Sequence, residues 1–172
     1  MAYYRRDWPT LLRASLGLTR AMFGLPWPLT VRGAWLIMRG NQLWAPNPDN
    51  DPDGARRVMT AFYAMVARYH GESIAPARAA ALEVEWWRVH RAHQYAELPS
   101  EEPLVEALAA LYAYVYSVEE SSVRLAARER ARAMDLSDEW VRRGCELGHP
   151  LVAQERAALV RSYAALLAAV HL

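Results

Sequence analysis

Residues 82–97 read LEVEWWRVHRAHQYAE, and the periodicity of this stretch indicates the fold class. Its apolar positions recur every three or four residues, the spacing of one face of an α-helix. The apolar stripe consists of Leu82, Trp86, Val89, His93 and Ala96. Glu83, His90 and Glu97 form a row at the edge of that stripe, because seven residues nearly complete two helical turns. The stretch therefore predicts an amphipathic helix with a polar edge that borders a core.

The same spacing recurs on both sides of this stretch. It predicts further helices over residues 10–23, 31–44, 54–70, 100–116 and 151–170, and it extends the quoted helix from Pro76 to the residue before Pro99. No run alternates with period two between turn residues, which a strand would require. The sequence therefore predicts an all-α fold of six to eight helices in bundle-like or orthogonal packing.

Capping residues set several of the predicted boundaries. Residues 46–54 are rich in Pro, Asn and Asp and predict a loop, and Asp53 near its end is predicted to cap the third helix. Ser117 and Glu120 match the capping box of a sixth helix, which ends at Met134, and its continuity with the fifth helix stays open. Ser137 is predicted to cap a short separate helix.

The size and composition of the chain are typical of one soluble globular domain, predicted to span residues 1–172. Hydrophobic residues make up 53% of the chain and charged residues 23%. The chain contains twenty arginines and no lysine, a bias that indicates a GC-rich, bacterial genome. Its net charge is only +1, and the arginines are spread along the whole chain. This pattern argues against a nucleic-acid partner, which a clustered basic patch would indicate.

The sequence also predicts a cellular location. Cys145 is the only cysteine, so an internal disulfide framework is excluded and a reducing cytoplasm fits best. The first residues lack the apolar run and cleavage site of an export signal, and no stretch of about 18 apolar residues predicts a membrane span. We therefore expect a cytoplasmic protein.

The polar edge of residues 82–97 suggests a small-molecule site. His90 is the candidate base and Glu83 the candidate acid, although about 10 Å of helix axis separates them, so they would flank a ligand rather than bond to each other. Seven Trp and nine Tyr suit the walls of an aromatic pocket, and Trp87 lies on the same side as this row. Further ligand contacts are predicted for Arg91, His93, Glu97, Tyr112 and Tyr116.

Other interpretations stay open from the sequence alone. The row is also typical of a helix edge where both glutamates are solvated and His90 bonds to a neighbouring helix. A second hypothesis is a non-enzymatic interaction module that forms a homo-oligomer. A third is a metalloprotein with Glu83, His90 and His93 among its ligands. No glycine-rich phosphate loop or dinucleotide fingerprint occurs, so we expect no nucleotide cofactor.

Overall fold

The computed structural model describes residues 6–95, 97, 100–146 and 148–171. In these residues the chain forms seven α-helices and no strand, which confirms the predicted all-α fold. The helices are α1 (Trp8–Phe23), α2 (Trp27–Trp44), α3 (Pro52–His70), α4 (Pro76–Gln94), α5 (Glu102–Tyr116), α6 (Glu120–Arg142) and α7 (Pro150–Val170). None of these helices combines the length and the apolar content needed to cross a membrane. The chain divides into two compact units, and the boundary between Val84 and Glu85 falls within α4.

The first unit is built around α2, which packs on α1 and on α3. Gly33 lies at the crossing, because a Cβ added there would come within 3.1 Å of Thr19 and Met65 and 3.3 Å of Phe62. The ring of Phe62 meets that of Phe23 edge to face at 5.3 Å. A glycine within a helix costs about 1 kcal/mol relative to alanine. Here the close approach of three helices leaves no room for a side chain, so the position requires glycine.

The second unit is built around α6, which packs on α5 and on α7. Its core combines large apolar side chains with small alanines, most of them on α6. The buried residues are Val89, Leu104, Val105, Leu108, Ala109, Val123, Ala126, Ala127, Ala131, Met134 and Leu166. The buried hydroxyl of Ser162 on α7 donates to the carbonyl oxygen of Ala126 at 2.8 Å. Small side chains on α6 allow this direct contact with the backbone.

α6 replaces two predicted helices. It runs without a break from Glu120 to Arg142, so the predicted end at Met134 and the predicted new start at Ser137 are wrong. Ser137 is 6% exposed and lies inside the helix. Serine favours the start of a helix because its hydroxyl can accept a hydrogen bond from a backbone N–H of the first turn. Tertiary packing overrides such local preferences.

Ser117 also has a different role from the predicted one. It ends α5 with a φ of +54° instead of capping α6, which begins after Glu119. The backbone N–H groups of Ser117 and Val118 both donate to the carbonyl oxygen of Ala113. This pattern closes a helix C-terminus, and it separates α5 from α6.

α3 begins at Pro52, two residues before the start that a cap at Asp53 would give. The carboxylate of Asp51 accepts a hydrogen bond from the backbone N–H of Gly54 at 2.7 Å. Pro52 then occupies the first helical position, where its missing N–H costs nothing. The last three residues of the predicted loop 46–54 are therefore helical.

Candidate functional site

Two histidines of α4 are bound by two aspartates of α6. His90 Nε2 donates to Asp138 Oδ2 at 3.1 Å, and His93 Nε2 donates to Asp135 Oδ1 at 2.9 Å, since a carboxylate only accepts. The order of the partners reverses between the helices, so residues 90–93 run antiparallel to residues 135–138. Each histidine ring is therefore oriented by an acid of the neighbouring helix.

The two pairs differ in burial. The side chain of Asp138 is 7% exposed and that of His90 is 15% exposed, whereas the side chain of Asp135 is 42% exposed. Asp138 Oδ1 also accepts a hydrogen bond from Gln94 Nε2 at 2.5 Å. A buried carboxylate needs such donors because its desolvation is costly. The His90–Asp138–Gln94 cluster is thus the more enclosed of the two arrangements.

The second ring nitrogen of His93 lies inside the protein. Its Nδ1 atom is buried and has no hydrogen-bond partner among the residues that the structure describes. Because Asp135 accepts from Nε2, a neutral His93 ring leaves Nδ1 as an acceptor without a donor. The ligand contact predicted for His93 gains no support from this burial and stays a prediction.

Trp86 is an aromatic neighbour of His90. The two ring centroids are 6.4 Å apart with the planes tilted by 40°, and Trp86 packs partly buried against the core of the second unit. Trp87, which the sequence placed on the His90 side, is 7% exposed and meets Trp86 edge to face. A role for Trp87 as a ligand wall stays a prediction, while the Trp86 indole lies beside the imidazole.

The two glutamates of the predicted polar row have different surroundings from His90. Glu83 Oε2 accepts a hydrogen bond from the hydroxyl of Tyr63 at 2.8 Å, and both residues belong to the first unit. Glu97 is exposed and lies beyond Gln94, where α4 ends. The prediction that this helix continues to the residue before Pro99 is therefore wrong. The Glu97 N–H donates to the carbonyl of Ala92, five residues back, as at a helix C-terminus.

The remaining predicted contacts are distributed around the same helix and its neighbours. Arg91 is partly exposed on α4. Tyr112 and Tyr116 of α5 are partly buried and pack against the core of the second unit. Nearby, Arg88 is bound by Glu85 through two hydrogen bonds of 2.8 and 3.0 Å, which raise the pKa of Arg88. Ligand contacts for Arg91 and the two tyrosines stay predictions.

Asp135 and Asp138 were missed at the sequence level. Asp138 falls at the start of the short helix predicted after Ser137, and no partner was predicted for its carboxylate. One signal was present: His90 and His93 are three residues apart, and so are the two aspartates. Matched spacing on two helices allows two side-chain pairs to form at once when the helices run antiparallel.

This arrangement supplies the elements of general-base chemistry. A carboxylate that holds Nε2–H selects one tautomer of His90 and leaves the lone pair on Nδ1 to accept a proton. Among the described residues, no group of three His, Cys, Asp or Glu side chains is suited to hold a metal ion. The metalloprotein hypothesis therefore gains no support from this part of the chain.

Comparison with known proteins adds no relative. The chain matches no protein-family model. No curated protein matches its sequence. No solved structure matches it.

Proposed function

We propose that the protein binds a small organic molecule beside His90, and that His90 accepts a hydrogen bond or a proton from it. The single observation that supports this is the pairing of a partly exposed imidazole with an almost fully buried carboxylate, that of Asp138. Gln94 engages the other carboxylate oxygen, so the acid is held from two sides. A held acid orients the ring before a ligand arrives, and such preorganisation lowers the entropic cost of binding.

The chemistry of the ligand follows from the atoms around the ring. With Nε2 engaged by Asp138, a ligand would meet Nδ1, which accepts from an O–H or N–H group. The Trp86 indole beside His90 favours a flat, aromatic molecule. The proposed ligand class is therefore aromatic compounds with an acidic hydroxyl, such as phenols and naphthols.

The test is the loss of phenol and naphthol binding in a His90→Gln variant. Loss of one hydrogen bond from a desolvated imidazole costs about 1.4 kcal/mol, which corresponds to about tenfold in affinity. Ligand-observed NMR gives the affinities of the wild type and of the variant. The His171→Gln variant is the control, since it removes an exposed histidine outside α4, and it should bind within about twofold of the wild type. The affinity of the Glu83→Gln variant for the same ligands tests separately whether Glu83 contributes to binding.

Two results would contradict this function. One is the absence of binding of every phenol and naphthol to the folded wild type. The other is an equal loss of affinity in the His90→Gln and His171→Gln variants.

A second function, self-association, is favoured by the outer face of α7. Five exposed residues of this helix follow one another at spacings of four, three, four and three: Ala153, Ala157, Val160, Ala164 and Leu167. Val160 and Leu167 are 63% and 59% exposed. Ala158, Ser162 and Leu166 are the buried residues of the same helix. The alternation of four and three is the heptad pattern of helices that pair with one another, and the alanines permit close approach. The partner that fits best is α7 of a second copy.

The self-association proposal predicts an oligomer that a Val160→Glu/Leu167→Glu variant abolishes. Two charges in an apolar seam meet two like charges from the second copy, so we expect a loss of at least tenfold in the association constant. Sedimentation equilibrium measures it. Leu125→Glu, on α6 and 61% exposed, is the control and should leave association unchanged. A wild type that stays monomeric up to millimolar concentration would exclude this function.

A further inference from the structure

An exposed apolar surface with two tryptophans lies on α2. Trp27 is 59% exposed, Val31 is 53% exposed and Trp35 is 50% exposed. These residues are four apart, and a step of four rotates the position on a helix by only about 40°. They therefore form one apolar row, here called the α2 row. Two half-exposed tryptophans in one row are unusual on a surface that stays in water.

Every charged residue within α1 and α2 is an arginine. Residues 8–48 contain Arg13, Arg20, Arg32 and Arg39 and no acidic residue. The whole chain has a net charge of only +1, so the rest of the chain is net negative. α1 and α2 thus carry positive charge with no negative charge, even though the two signs nearly balance over the chain as a whole.

Three of these arginines adjoin the row itself. The guanidinium of Arg20 lies over the Trp27 ring, with its Cζ 4.5 Å from the centroid. Arg39 follows Trp35 by four residues and Arg32 precedes it by three, so both flank Trp35 on the helix surface. All three arginines are exposed. The row therefore presents indoles and guanidinium groups side by side.

We propose that the α2 row docks on an anionic lipid bilayer, with α2 parallel to the membrane surface. Indoles prefer the headgroup region, where the ring is shielded and its N–H stays hydrated, and arginines beside them attract anionic lipids. No described helix is suited to cross a membrane, so the contact is peripheral. The complete lack of acidic residues in 8–48 favours lipid over a protein surface of mixed charge.

Vesicle flotation of the full chain tests this docking. We expect binding to phosphatidylcholine vesicles that contain about one third phosphatidylserine, and at least tenfold weaker binding to pure phosphatidylcholine. Each arginine near an anionic surface strengthens binding to it. We therefore expect the Arg32→Gln/Arg39→Gln variant to bind about 30-fold more weakly. Trp27→Ser/Trp35→Ser should lose binding at least tenfold, with an unchanged circular dichroism spectrum because both side chains are half exposed.

The matched control is Arg56→Gln/Arg57→Gln on α3, which removes the same charge from exposed positions of the same unit. It should bind the anionic vesicles within about threefold of the wild type. Binding should also fall at about 1 M salt, where the Debye length is about 3 Å. Absence of binding to the anionic vesicles, equal loss in both arginine variants, or a tryptophan variant that changes only the oligomeric state would overturn the proposal.

Discussion

Replacement of Asp138 by alanine should lower the free energy of unfolding by about 2–3 kcal/mol. The carboxylate is almost fully buried and accepts hydrogen bonds from His90 and from Gln94. Alanine removes both acceptors and leaves two polar side chains with lost partners, and each unsatisfied buried group costs about 1–3 kcal/mol. Urea denaturation at neutral pH, followed by far-UV circular dichroism, measures the change.

The control for this prediction is the other pair of the same two helices. Asp135→Ala removes the acceptor of His93, but the Asp135 side chain is 42% exposed and water replaces it. We expect a loss of less than about 1 kcal/mol. The loss of unfolding free energy for Asp138→Asn should lie between those for Asp135→Ala and Asp138→Ala, because the amide oxygen still accepts one hydrogen bond. Equal losses for Asp135→Ala and Asp138→Ala would show that burial does not distinguish the pairs.

Replacement of Trp140 by alanine should be the most destabilising single change, at about 3–5 kcal/mol. Trp140 is 1% exposed and is among the largest fully buried side chains of the described residues. Its indole N–H donates to the carbonyl oxygen of Glu146 at 2.6 Å. This hydrogen bond holds the segment that follows α6 against the end of the helix. Alanine leaves a cavity and removes this bond. The midpoint and slope of urea unfolding give the free energy.

An exposed tryptophan is the matched control. Trp35 is 50% exposed on α2, so Trp35→Ala should change the free energy of unfolding by no more than about 0.5 kcal/mol. Trp140→Phe separates the two contributions, since it keeps most of the volume but lacks the N–H donor. A loss below about 1 kcal/mol for Trp140→Ala would mean that the core relaxes around the missing ring.

The helices of this protein follow from local chemistry. Residues 82–97 show apolar positions at helical spacing, Asp7 accepts from the N–H of Thr10 at the start of α1, and Gly71 ends α3 with a φ of +71°. Each of these features depends on residues within about four positions of one another. The all-α class and the approximate number of helices were therefore predictable.

The partners of the polar side chains were not predictable in this way. The sequence left two interpretations open for His90, a ligand shared with Glu83 or a bond to a neighbouring helix. The structure shows the second, but the acid that forms this bond, Asp138, lies 48 residues later and was not identified. Ser117 and Ser137 match local start signals, yet one closes a helix and the other is buried inside one. Local sequence specifies the residues that can cap or pair. It does not specify which of them burial removes from water.

Sequence alone therefore determined that this chain forms helices, and it identified His90 as the histidine to examine. Tertiary structure decided which acid orients that histidine, and it decided which apolar rows, on α2 and on α7, stay exposed. The physical reason is the distance along the chain over which each interaction acts. Helix formation depends on hydrogen bonds and side chains within one or two turns, whereas pairing and exposure depend on how helices far apart in the chain pack together.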